Sequence, residues 1–346
     1  MAVSLAKMAI LPLVRRPVAW QALCVSTQTT RPVRDKKATA PVRRASLAAW
    51  ICLLIVYVVW GSTYLAIRVG VETMPPLMMA AARQLVAGLI MFPLAMHSRR
   101  AAVRAGRAER FWPSRAEWLG CAVVGTLLLV ANGVVGVGEK TVPSGLAALL
   151  VATVPLWLLG IDAGLNHARM GLAPVAGLLL GLAGVALLSG LGGHSRGTSV
   201  VGVLIILGAA AAWALGTIMA RRATIPSSPA LASGMELLAG GAALLVLSAA
   251  TGEFSSLHLA QVSARSWLAL GYLIVFGSIV AFSAYGIAVR ALPTATVATY
   301  AYVNPVIAVL LGALILNERL TPATIAGGVL IVGAVVLVVR RSPPAH

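Results

Sequence analysis

The chain has 346 residues, of which 60% are hydrophobic and 10% are charged, and its mean hydropathy is +0.94. Ordinary soluble domains carry about 25% charged residues, so a water-soluble fold of this size could not bury so much apolar surface beneath a polar skin. The formal net charge of +18 would suggest nucleic-acid binding in a soluble protein, but here the basic residues cluster in loops and tails between apolar runs, so no nucleic-acid partner is predicted.

Residues 1–46 form a basic segment that holds nine lysines and arginines and one acid. Its apolar run, MAILPLV, is too short for a spanning helix and for the apolar core of a signal peptide. We interpret this segment as a disordered cytoplasmic tail or an over-long start. Arg-rich segments with few acids also occur as organelle transit peptides, so that alternative stays open.

Ten apolar segments follow, each close to the roughly 20 residues with which a helix crosses the hydrocarbon core. Because lipid offers the backbone no hydrogen-bonding partner, each segment is predicted to be a helix. The predicted fold is therefore an all-α polytopic membrane protein with ten transmembrane helices. The segments are 47–67, 77–97, 117–137, 144–164, 172–190, 200–221, 230–250, 266–289, 293–316 and 321–339.

The distribution of lysine and arginine predicts the orientation. With a cytoplasmic N-terminus, the inside regions hold 21 of these residues and the outside connections hold five. Cytoplasmic loops of membrane proteins carry such an excess. We therefore expect a multi-pass protein of the cell (inner or plasma) membrane with both termini in the cytoplasm.

Several short patterns recur along the chain at offsets between 148 and 153 residues. PSGLAALLVATVP at 143–155 and PTATVATYAYVNP at 293–305 share their proline spacing, and the tryptophans Trp60 and Trp213 each precede a threonine. The pattern indicates a duplication, with one five-helix repeat over 47–190 and a second over 200–340. Since five is odd, the repeats are predicted to be inverted in the membrane, an architecture typical of transporters whose substrate site lies at the repeat interface near the bilayer midplane.

Arg83 and Glu236 each lie six residues inside a predicted helix, where a charge costs about 3 kcal/mol on insertion scales. Arg83 lies in the second helix and Glu236 at the corresponding place in the seventh. Arg83 would offer a fixed fork to a substrate carboxylate, and Glu236 would exchange a proton with the substrate. The alternative is that each pairs with polar groups and fixes packing. Because the two helices run in opposite directions, Arg83 is expected in the outer half and Glu236 in the inner half.

Polar and aromatic residues suggest further cavity positions. Trp60, Ser62 and Tyr64 lie in the first helix and could face the substrate, with Trp213 and Thr217 as their counterparts, although an aromatic stripe is also typical of plain packing. Asn132 is a candidate as well, and its simplest role is a hydrogen bond between helices. At the outer end of the third helix, Glu139 and Lys140 are expected to form an ordinary interfacial cap.

The prolines and polar residues of the two stretches 143–155 and 293–305 can be explained if these stretches are gating helices. Pro305 removes the hydrogen bond to the carbonyl of Ala301, and a helix in lipid tolerates such a break where protein or a water-filled cavity satisfies the freed carbonyl. Tyr300 and Asn304 share a face nearby, and Pro155 repeats the kink in the fourth helix. We predict that both stretches border the substrate path; plain kinked packing is the alternative.

Several segments together resemble one family, the EamA-type exporters of the drug/metabolite transporter superfamily. They are YVVWGSTYLAIRVG (57–70), PPLMMAAARQLVAG (75–88), TVPSGLAALLVATVPLW (141–157) and TYAYVNPVIAVLLG (299–312). The resemblance covers about residues 47–340. It implies a ten-helix, two-repeat fold and export of small molecules, without indicating the substrate.

The predicted function is a secondary active exporter of small metabolites, amino acids or drugs, driven by the proton gradient through alternating access. Its expected partners are the substrate, the lipid bilayer, a proton as counter-ion and a second copy in a homo-dimer. The alternatives are a nucleotide-sugar or organic-anion exchanger, a passive channel and a regulatory membrane subunit. The sequence carries no convincing phosphate-binding loop, hydrolase motif or metal pattern, so no cofactor, metal site or enzymatic activity is predicted.

Overall fold

The computed structural model describes residues 47–106, 110–166, 199–292, 297 and 299–341, together with isolated positions between 176 and 187. The predicted tail 1–46, Pro293 and most of the predicted fifth helix, 172–190, lie outside the described residues. The helices of the first repeat are α1 (Leu47–Gly70), α2 (Pro76–Arg104), α3 (Arg115–Glu139), α4 (Ser144–Val151) and α5 (Val154–Asn166).

The second repeat contains α6 (Val200–Arg222), α7 (Pro229–Ala250), the short α8 (Glu253–Ser256), a 3₁₀ turn (Leu259–Gln261), α9 (Ala264–Tyr272), a π-helical stretch (Leu273–Val280), α10 (Ala281–Ala291), α11 (Tyr300–Leu316) and α12 (Pro322–Arg341). Within the described ranges, seven helical spans are long and apolar enough to cross a membrane, and two shorter apolar helices lie in α11 and α12. The all-α polytopic membrane fold is confirmed.

Two of the predicted helices are interrupted. The predicted fourth helix, 144–164, is divided into α4 and α5 at Ala152 and Thr153. The predicted eighth helix, 266–289, contains the π-helical stretch between α9 and α10. Elsewhere the apolar runs mark the helices but not their ends: α2 continues seven residues past the predicted 97 to Arg104, because basic residues are good helix formers outside the apolar zone as well.

Glycines bring the helices of the two repeats into close contact. Helix α2 runs antiparallel to α7, so that a side chain at Gly88 would meet Leu238, and one at Gly241 would meet Leu85. Helix α3 approaches α7 at Gly125, where a Cβ atom would lie 2.7 Å from the Cα atom of Glu236. Small residues permit this kind of backbone approach between membrane helices. The central packing therefore joins α2 and α3 of the first repeat to α7 of the second.

Carboxylates from distant connections close the N-termini of two helices. The Glu253 carboxylate accepts hydrogen bonds from the backbone N–H groups of Leu77 (3.2 Å) and Met78 (2.8 Å), at the start of α2. The Glu318 carboxylate accepts from the backbone N–H groups of Ser144 (2.8 Å) and Gly145 (3.1 Å), at the start of α4. Negative charge is favourable at a helix N-terminus, so each contact fastens one repeat to the other.

Candidate functional site

A buried polar cluster surrounds Arg83, whose side chain is only 5% exposed. Its Nε–H group donates to Ser278 Oγ at 3.0 Å, and an Nη–H group donates to Asn132 Oδ1 at 3.1 Å. Neither partner is charged, and in the described part of the chain no carboxylate pairs with this guanidinium. Since a guanidinium has five N–H donors, Arg83 keeps donors that could bind an anion.

Gln84 extends this cluster. Its side chain is 1% exposed, and its Nε2 atom donates to Asn132 Oδ1 at 3.4 Å. Its Oε1 atom accepts no hydrogen bond from the described residues. A buried acceptor without a donor is costly. The amide oxygen could therefore accept a hydrogen bond from a donor group on a ligand. Gln84 was not among the residues predicted from the sequence to line the cavity, although a glutamine directly beside an intramembrane arginine suggests a polar site.

A cavity of about 10 Å³ adjoins this cluster, which is room for about one water molecule. It is lined by Ile67, Pro76, Met79, Ala80, Arg83, Asn132, Gly133 and Gly136. A metabolite is far larger, so the helices around Arg83 would have to separate to admit one.

The π-helical stretch supplies the wall opposite Arg83. Ser278 is fully buried there, and a Cβ atom at Gly277 would lie 3.2 Å from an Nη atom of Arg83. The arginine thus packs closely against the backbone at Gly277, and a larger residue there would crowd its guanidinium. Short π-helical segments often occur at functional sites. The sequence analysis missed Ser278, whose signal was a single hydroxyl in the apolar run LIVFGSIV.

An aromatic cluster forms around Trp60 of α1. Its ring centroid lies 5.2 Å from Tyr300, 5.2 Å from Tyr285 and 5.6 Å from Phe282. The structure therefore brings together two of the predicted cavity residues, Trp60 and Tyr300, and adds Phe282 and Tyr285 from α10. All four side chains are half-buried. They could contribute an apolar surface for a substrate side chain.

Ser62 and Asn304 connect helices through hydrogen bonds. Ser62 Oγ shares a 2.6 Å hydrogen bond with the Tyr272 hydroxyl and donates to the Val59 carbonyl at 2.9 Å. The Asn304 amide, oriented to satisfy its neighbours, donates to the carbonyls of Tyr57 and Tyr300 at 3.2 Å each. Both residues join α1 to the second repeat.

The remaining aromatic and hydroxyl candidates are dispersed. Tyr64 and Trp213 both pack against the cluster of Ala131, Val135 and Ala209. Thr217 Oγ1 donates to the Trp213 carbonyl in its own helix at 2.9 Å. The hydroxyl is therefore satisfied locally and does not join the Arg83 cluster.

Glu236 lies at a different level of the bundle from Arg83. The antiparallel register of α2 and α7 sets Glu236 opposite residue 90, which is seven residues, or about 10 Å, along the axis from Arg83. The two side chains do not pair. The Glu236 carboxylate is half-buried and has no hydrogen-bond or ion-pair partner among the described residues.

The two gating prolines differ in their effect on the chain. Next to Pro155 the helix breaks, and the Thr153 hydroxyl donates to the Leu150 carbonyl at 2.6 Å. Pro305 instead lies inside the continuous helix α11. The neighbouring hydrogen bond from Val303 to Thr299 is kept there at 3.2 Å.

Comparison with known proteins identifies relatives over the described helices. The model of the EamA-like transporter family matches residues 47–190 and 200–340. An uncharacterized inner membrane transporter, YedA, of Escherichia coli K12 is 40% identical over 85% of this chain and 92% of its own. A probable amino-acid metabolite efflux pump of the same organism is 26% identical over 81% of this chain and 91% of its own.

A solved crystal structure shows the same fold. It has a TM-score of 0.54 and 23% sequence identity, and the match covers 84% of this chain and 96% of the other. At this identity the likeness concerns the fold alone.

Proposed function

Because the chain belongs to the EamA-like transporter family, a family of multi-pass membrane proteins, we propose that it is a secondary active exporter driven by the proton gradient. Its substrates are small metabolites, amino acids or drugs. Two inverted five-helix domains, 47–190 and 200–340, alternate the access of one site between the two sides of the membrane. Both termini lie in the cytoplasm, so export runs toward the side of the α1–α2 connection.

The observation that carries the substrate class is the isolated charge of Arg83. A buried cation in a membrane bundle is expensive unless something offsets it, and its described neighbours Ser278 and Asn132 are neutral. A carboxylate is the natural complement, because it accepts two parallel hydrogen bonds from a guanidinium. We therefore assign the substrate carboxylate to Arg83.

The Gln84 carbonyl oxygen narrows this class to amino acids and related compounds. It is a buried acceptor without a donor, next in sequence to the arginine that would hold the carboxylate. An ammonium group on the substrate would supply the missing donor. The name of the Escherichia coli relative, an amino-acid metabolite efflux pump, supports the same class.

The substrate side chain would lie against the rings of Trp60, Phe282, Tyr285 and Tyr300. These residues come from α1, α10 and α11, which belong to different repeats, so a relative movement of the repeats would open and close this surface. Glu236, whose carboxylate has no described partner, is the proposed acceptor of the coupled proton. Pro155 gives α4–α5 a hinge beside the route, and Pro305 gives a weaker one.

Metabolite release tests the proposal. Energised cells that express the wild type are compared with cells that express Arg83→Gln or Glu236→Gln at equal membrane abundance, and with empty cells. We expect amino-acid-like carboxylates to leave only with the wild type, and collapse of the proton gradient to stop their release. Release that survives collapse of the gradient would indicate a passive channel. Release of phosphorylated compounds would indicate an exchanger, and no release above empty cells would contradict export.

A further inference from the structure

The carboxyl group of Glu139, at the end of α3, has no role in the function proposed above. The sequence predicted an ordinary cap at the membrane interface, and that prediction is wrong, because the side chain is 0% exposed. Neither carboxyl oxygen has a hydrogen-bond partner in the part of the chain that the structure describes. Burying an unpaired carboxylate costs several kcal/mol, and a group so placed is neutralised by a proton instead.

The charged and titratable neighbours of Glu139 do not change this conclusion. The Arg68 guanidinium, from α1, donates to the backbone carbonyl of Glu139. Its positive charge favours an ionised Glu139, but it makes no hydrogen bond to the carboxyl group, which stays without a donor in the described part of the chain. From the same helix, the Tyr64 phenol interacts with Glu139 electrostatically. On helix α6, Ile206 and the backbone of Gly202 lie beside Gly138, and Lys140 is exposed to solvent.

The remaining neighbour, Glu318, is itself a carboxylate that acts on Glu139 electrostatically. Glu318 receives three hydrogen bonds at the N-terminus of α4, from Ser144 N (2.8 Å), Ser144 Oγ (2.8 Å) and Gly145 N (3.1 Å). These donors and the helix dipole stabilise its negative charge. Glu318 thus has three donors, whereas Glu139 has none among the described residues, so the neutral form is favoured at Glu139.

We propose that Glu139 is a proton-binding site, and that the proton on it allows this end of the bundle to pack shut. When Glu139 loses the proton, the new charge is repelled by Glu318 and requires water. The contact between Glu318 and the start of α4, which joins the two repeats, then separates. Closure is accordingly favoured at low pH and is lost as the pH rises and Glu139 ionises. Under the proposed orientation, this end faces the outside, where the proton concentration is high in an energised cell.

Infrared spectroscopy of the purified full-length protein in lipid nanodiscs tests the protonation directly. The wild type at neutral pH should show the carbonyl band of a buried protonated acid, and Glu139→Gln should lack it. The matched control Glu318→Gln should retain the band, because the Glu139 acid is still present in it. If Glu139→Gln does not fold, Glu139→Asp should shift the band. A band unchanged in the Glu139 variant would overturn the proposal.

A distance measurement tests the consequence for closure without any transport assay. Spin labels are attached to cysteines at the exposed positions Thr141 and Leu320 in a protein from which Cys24, Cys52 and Cys121 have been removed. In the wild type the population with a short distance should fall as the pH rises, whereas in Glu139→Gln it should stay large. A distance distribution that is independent of pH in the wild type, or that opens with pH in Glu139→Gln, would overturn the switch. Because neither measurement involves a substrate, their failure would leave the exporter proposal untouched.

Discussion

Replacing Gly125 by alanine probes the contact between the repeats. A Cβ atom at this position would lie 2.7 Å from the Cα atom of Glu236 and 2.9 Å from its carbonyl carbon. Carbon atoms in contact lie about 3.5–4.0 Å apart, and because both neighbours are backbone atoms, no side-chain rotation relieves the overlap. Helices α3 and α7 must therefore separate by on the order of 1 Å to restore an ordinary carbon–carbon contact.

Overpacking of this kind costs about 1–3 kcal/mol, so the apparent unfolding midpoint in detergent should fall by several degrees. The matched control is Gly208→Ala in α6, where a Cβ atom would have no neighbour within 4 Å. Alanine is the better helix former by about 1 kcal/mol in water, so this control should unfold at the wild-type temperature or slightly above. If Gly125→Ala were as stable as Gly208→Ala, the close contact of the two repeats would be refuted.

Three other changes have defined outcomes. Arg83→Lys keeps the charge but loses the fork, and removal of one charge-assisted hydrogen bond of about 1.5–3 kcal/mol should raise KM for a carboxylate substrate by about 10–100-fold; an equal change for the matching amide would contradict carboxylate binding. Glu318→Gln should lower the unfolding midpoint, as a loss of about 1 kcal/mol at a helix N-terminus would, whereas the exposed control Arg319→Gln should not. Pro155→Ala should slow transport by several-fold with little change in KM, because it restores a hydrogen bond at the hinge; an unchanged rate would exclude gating at this break.

The membrane fold could be predicted from the sequence because the physical signal is local. The length of each apolar run matches the bilayer, and the pairing of Trp60 with Trp213 at a constant offset reveals the repeat. The intramembrane charge of Arg83 also predicts the polar cluster, since a cation within the membrane is costly unless polar groups surround it. In each case the requirement of the lipid environment applies to one short segment at a time, so the sequence of that segment is enough to predict the feature.

Other features depend on packing and could not be predicted. Glu139 lies at the end of a helix, where a charge is usually exposed, and the packing of other segments of the chain buries it. The π-helical stretch that sets Ser278 against Arg83 has no known sequence signature in its apolar run. The two prolines, Pro155 and Pro305, look alike in sequence, yet the helix is interrupted only next to the first.

Transport by the purified protein tests most directly whether it is a gradient-driven exporter. Liposomes containing the wild type hold the carboxylate compound that cells release at equal concentrations inside and outside, and a proton gradient is imposed under which protons flow opposite to the direction of export. We expect the compound to move against its own concentration gradient until the proton gradient is collapsed, and Arg83→Gln to show no such movement. Flux that only runs downhill, at the same rate with and without the proton gradient, would contradict coupled export.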